Sequence, residues 1–97
     1  MIELVAQKRR KVATLCRKYQ VERLDLFGSA ATGKFRPETS DLDFLVELEQ
    51  ETFRSYMNLK IYLEDLFETE VDLVLVDAIK PRLRDLIFSG TIKVPGF

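Results

Sequence analysis

The run VDLVLV at 71–76 constrains this chain most. It is nearly all β-branched or leucine, the composition of a strand buried on both faces of a sheet. Ahead of it, Phe53, Tyr56, Leu59, Leu63, Leu66 and Phe67 step by three or four, which predicts an amphipathic helix over 52–67. LDFLVEL at 42–48 reads as a second hydrophobic strand. VERLDLF at 21–27 reads as a shorter one, with Leu24 and Leu26 in alternation, that stops at Gly28-Ser29. Val5, Val12, Leu15, Cys16 and Tyr19 predict a first helix from Ile2 to about Tyr19, with the basic cluster elsewhere on its surface. At the other end, Asp77 is placed to cap a helix that starts at Pro81. Ile79, Leu83, Leu86 and Ile87 would form its stripe, and Gly90 would end it. The order helix, strand, strand, helix, strand, helix makes a small α/β (α+β) domain, a mixed sheet backed by helices.

The 97 residues contain no linker, repeat or low-complexity tract, so residues 1–97 read as one domain. No apolar run approaches the roughly 18 residues that span a bilayer. MIELVAQKRRKV does not read as a secretory signal, and the expected setting is reducing and cytoplasmic. Cys16 is the single cysteine and there is no histidine. This excludes an intrachain disulfide, a Cys/His zinc site, and Ser-His-Asp or Cys-His nucleophilic machinery. Any chemistry must come from carboxylates, hydroxyls or lysines.

The net charge of −1 conceals segregation. Residues 1–20 hold six basic groups and one acid, whereas residues 38–77 hold twelve acids and two basic groups. An acidic middle between basic ends fits a metal or phosphate site, and it equally fits solvated helix faces.

The stretch LFGSAATGKFRPETSDLDFLVE, residues 26–47, carries the chemistry. Gly28 allows the backbone to approach an anion closely, and the Ser29 hydroxyl can donate to a phosphate oxygen. A tight turn with Ser29 as a helix cap has the same appearance. Asp41 and Asp43 are two apart, so strand alternation puts both carboxylates on one face. Two anions held that closely repel unless a cation binds between them, and a hard ion such as Mg²⁺ suits oxygen ligands. Strand capping by Asp41 and a solvated Asp43 would be the plainer explanation. Asp72 lies in VDLVLV, where a lone aspartate would be costly to bury. If its strand neighbours the one bearing Asp43, the three acids form a triad able to hold two metal ions for phosphoryl or nucleotidyl transfer.

The string FGS…SDLDFLVE, with VDLV about thirty residues further on, resembles the minimal nucleotidyltransferases of the DNA polymerase beta superfamily. The likeness covers about residues 21–90 and includes KPRLRDLI. It implies a polymerase-beta-like fold in which Gly28 and Ser29 grip the terminal phosphates of ATP. It also implies that Asp41, Asp43 and Asp72 coordinate Mg²⁺, two ions in all, with Asp72 closest to the acceptor hydroxyl. Two departures stand out. Thr32 occupies a position where relatives often have arginine, a loss that Lys34 or Arg36 would offset. Eleven residues separate Ser29 from Asp41, one more than in many relatives, with the addition falling within 37–40.

Minimal nucleotidyltransferases resemble one half of a two-protein system whose other half is a small helical HEPN ribonuclease. The resemblance therefore implies an antitoxin that transfers AMP from ATP to a hydroxyl of a protein partner. Its rival is a weak or inert domain that neutralises the partner by contact alone. A further rival, transfer to RNA or a small molecule, lacks an acceptor-binding domain. A homo-oligomer is compatible with so small a core. The basic residues at 8–18, with Arg82 and Arg84, read as triphosphate contacts, a partner surface, loose RNA contacts through phosphates or solvated faces. RNA is not the preferred reading, because no basic motif interleaved with aromatics is present. The tail IKVPGF is apolar enough to pack or to add a strand to a neighbour.

Overall fold

The computed structural model describes residues 3–32, 36 and 41–94. The first helical segment is split in two, α1 (Glu3–Gln7) and α2 (Arg9–Lys18). The break falls at Lys8, whose ammonium donates to the Leu66 carbonyl at 2.5 Å. One of the basic cluster is thus tied down in a half-buried contact between the helix break and Leu66. Strand β1 (Val21–Phe27) follows, then a single helical turn, α3 (Ser29–Thr32), and strand β2 (Leu42–Leu48). Helix α4 (Phe53–Phe67) starts where its stripe predicts, because the Thr52 hydroxyl accepts from the Ser55 amide at 3.0 Å. Strand β3 (Val71–Leu75), a 3₁₀ turn over Val76–Ala78, helix α5 (Pro81–Phe88) and strand β4 (Ile92–Lys93) complete the order.

The sheet runs β3-β2-β1-β4. β2 and β3 are parallel, joined through α4, whereas β1 is antiparallel to both β2 and β4. The mixed α/β architecture expected from the sequence is present. Register assigns the faces: Leu24 pairs with Val46, Leu26 with Phe44 and Phe44 with Leu73. These side chains form the core with Val12 and Cys16 of α2 and Leu59, Leu63 and Phe67 of α4. The odd residues of β2 point to the opposite face, where Asp43, Asp72, Phe27 and Asp25 stand.

Three local expectations are corrected. VDLVLV is not buried on both faces: β3 is an edge strand, and Asp72 is exposed while Val71 and Leu73 face the core. Its apolar composition serves one face, and Asp72 bears no burial cost. Asp77 does not cap α5; it lies in the 3₁₀ turn, and Lys80 is the capping residue, with no side-chain bond. The stripe on α5 is only partly covered: Ile79 and Ile87 are half-buried, none of the helix's residues is buried, and Leu86 is 71% exposed. The end of α5 is as expected: Ser89 is its C-cap and Gly90 is the first residue beyond it.

Within the described residues, the tail pairs with its own sheet through Ile92 and Lys93. Val94 is buried and its amide donates to the Leu24 carbonyl at 2.8 Å. Ile2, Lys34, the addition within 37–40 and residues 95–97 lie outside the described residues. Among those described, no helix is long and apolar enough to cross a membrane.

Candidate active site

One end of the sheet gathers the end of β1 and the starts of β2 and β3. There Phe27 pairs with Asp43, and Asp43 pairs with Asp72 on the adjoining parallel strand. The two carboxylates consequently stand side by side on one face. Asp41 lies exposed just before β2. Asp43 is half-buried, and its carboxyl is pushed above the usual value of 3.8 by burial first, then by the charges of Asp72 and Asp41. Asp72, from the neighbouring strand, and Asp41, two residues earlier in the chain, therefore both act electrostatically on Asp43.

Gly28 belongs to the same cluster. Its φ is +65°, a left-handed conformation that L side chains rarely adopt. A Cβ at this position would collide with Asp43 Oδ2 and lie 3.3 Å from Asp43 Cγ. Glycine is thus required both by the turn and by the closeness of the carboxylate. Its carbonyl accepts from the Ala31 and Thr32 amides at 3.1 and 3.2 Å, which builds the single turn of α3. Ser29 opens that turn, half-buried and next to the cradle. Thr32, exposed, reaches back to the Ser29 carbonyl at 3.4 Å, and Arg36 is exposed.

Sequence reasoning missed several neighbours. A concavity of about 290 Å³ flanks β3, lined by Asp41, Lys60, Glu64, Glu70, Val71 and Asp72. Glu64 accepts from the Val71 amide at 3.1 Å and so fixes the start of β3. Lys60 and Glu64, one helical turn apart, signal a common face of α4, but nothing local shows that this face meets β3. Cys16 offers no alternative nucleophile, because burial pushes its thiol up to about 12.

The donor set suits a hard divalent ion: oxygen ligands, mutual repulsion and a glycine cradle against one carboxylate. Among the described residues, no three acids are already gathered as a cage that would hold an ion unaided.

Comparison with known proteins identifies the family and the fold. The nucleotidyltransferase domain family model matches residues 8–94. The curated "Putative protein adenylyltransferase MJ0435" of Methanocaldococcus jannaschii is 36% identical over 87 residues, covering 89% of this chain and 92% of the relative. A solved "putative minimal nucleotidyltransferase" superposes with a TM-score of 0.81 at 36% identity, over 94% of this chain and 95% of that one. A chain from the complex of a tri-AMPylated Shewanella oneidensis HEPN toxin with MNT antitoxin shares the fold. It has a TM-score of 0.67 at 19% identity, over 95% of this chain and 72% of that one. The chain belongs to the nucleotidyltransferase family, in its minimal branch, and it is an enzyme of nucleotidyl transfer.

Proposed function

We propose that the chain transfers AMP from Mg-ATP to a hydroxyl of a protein partner, and that the partner is a small helical toxin of the HEPN kind. One observation carries the reading: Asp43 and Asp72 stand in register on parallel strands with Gly28 closed against Asp43. The names of relatives support the rest, since one is called a protein adenylyltransferase and a fold neighbour comes from a complex with an AMPylated toxin.

In this reading Gly28 and Ser29 hold the terminal phosphates, while Asp41, Asp43 and Asp72 hold Mg²⁺. The metal would supply Lewis-acid polarisation of the phosphates and a more acidic acceptor hydroxyl. The acceptor oxygen bonds to the α-phosphorus, the bond from that phosphorus to pyrophosphate breaks, and Asp72 takes the hydroxyl proton. Asp72 suits that role because it is exposed at the sheet edge, where an acceptor can reach it.

Neutralisation by contact alone keeps its place as the rival for one reason. An exposed Asp72 costs the fold nothing, so its presence does not by itself argue for a working site. Labelled ATP with the partner, alongside calorimetry of ATP with and without Mg²⁺, separates the two readings. Asp43→Asn should lower transfer at least about a hundredfold, the upper end of what loss of an outer-shell partner costs a metal site. Transfer by that variant at the wild-type rate refutes the assignment of the metal site. Absence of transfer by the wild type with its partner present supports contact alone.

A further inference from the structure

The basic half of α2 has no part in the site just described. Val12 and Cys16 of α2 pack in the core with Leu24, Leu26 and Phe44, on the sheet face opposite Asp43 and Asp72. On its outward face Arg10, Lys11, Arg17 and Lys18 are all exposed, and α2 contains no acidic residue. Two rows result, Arg10 with Arg17 and Lys11 with Lys18, each pair two turns or about 10 Å apart. Among the described residues none of the four is in an ion pair.

Tertiary structure adds what the linear sequence lacks. Tyr62 of α4 stacks on Tyr19 at the end of α2, with ring centroids 6.0 Å apart. The Lys18 ammonium lies 5.6 Å from one ring centroid and 5.4 Å from the other. Tyr62 remains 42% exposed and lines a mostly apolar concavity of about 420 Å³ with Lys11, Thr14, Leu15, Asp65 and Leu66. A cationic track beside an exposed aromatic ring is how proteins hold single strands: cations follow the phosphates, and every base offers a face for stacking. An acidic protein surface would satisfy the cations but would make no use of the ring.

We propose that the outward face of α2, with the Tyr19–Tyr62 pair beside it, binds single-stranded nucleic acid, independently of ATP and of the three aspartates. The probe is a fluorescein-labelled oligouridylate of about 12 nucleotides, within the span that small single-strand sites cover. Its anisotropy is followed between about 50 and 200 mM salt. Four cations on phosphates predict a log–log salt slope of about −2 to −3. Arg10→Gln combined with Arg17→Gln should weaken binding and reduce that slope by about 1 to 1.5. Tyr62→Ala should weaken oligouridylate about fivefold or more, the loss of one stacked base, and leave inorganic polyphosphate unaffected. Tyr62→Phe, which keeps the ring, should bind as wild type.

The proposal is overturned by wild type that does not bind, or by an unchanged slope in the double variant. It is also overturned if Tyr62→Ala weakens polyphosphate as much as oligouridylate, or if anionic vesicles are bound and oligouridylate is not. A transfer-dead Asp43→Asn protein that still binds oligouridylate separates this surface from the active site.

Discussion

Asp43 is confined between a glycine that cannot be replaced without collision and two carboxylates of its own sign. Burial is the larger reason its carboxyl lies above the usual value, and repulsion from Asp72 and then Asp41 adds to it. The folded chain therefore binds this proton more tightly than the unfolded chain. The contribution of Asp43 to stability without metal should be greatest below the ordinary carboxylate value and fall as pH rises through the raised one. Asp43→Asn removes that dependence. Thermal melts in a chelator should show the variant more stable than wild type at neutral pH, the difference closing as pH falls toward about 4. Added Mg²⁺ at neutral pH should raise the wild-type Tm and leave the variant unmoved. A variant no more stable than wild type at neutral pH would contradict this electrostatic account.

Elements differ in how far their sequence foretold them. Helix α4 was legible because its stripe is local, and β1 and β2 were legible from their apolar pattern and bounding turns. Apolar composition, however, cannot tell a central strand from an edge strand, and so β3 was misread. Periodicity likewise marks a helix face that would gain from cover without showing that cover exists. Two helices make the point quantitative. Leu63 of α4 is fully buried in the core, whereas Leu86 of α5 is 71% exposed. In urea unfolding, Leu63→Ala should cost about 2–5 kcal/mol, and Leu86→Ala should change stability by no more than about 0.5 kcal/mol. Equal effects would mean that α5 is packed against something in solution.

At the scale of the whole molecule, the site's residue types and spacing were legible, but its assembly was not. Asp43 and Asp72 meet only because α4 returns β3 parallel to β2 with those residues paired, a register no local pattern encodes. The closing of the sheet by the tail was equally hidden, because β4 is two residues long and its anchor is a buried acid. Asp25 is 1% exposed. Arg23 grips it with two bonds, Nε to Oδ1 at 2.7 Å and Nη2 to Oδ2 at 3.1 Å, and lies 4.3 Å over the Phe88 ring. The Thr91 hydroxyl donates to Oδ2 at 2.7 Å, sixty-six residues away in sequence. A buried carboxylate needs each of these donors, and Thr91 is the one that joins α5 and β4 to β1. Thr91→Val keeps the shape and removes the donor, so it should cost about 1.5–3 kcal/mol, the worth of a hydrogen bond to a charged group. Thr91→Ser should recover most of that loss, because it restores the hydroxyl without the methyl. Urea midpoints for the two variants decide the matter: if valine is as stable as threonine, Asp25 is satisfied by Arg23 alone and the tail is held by β4 pairing and Val94.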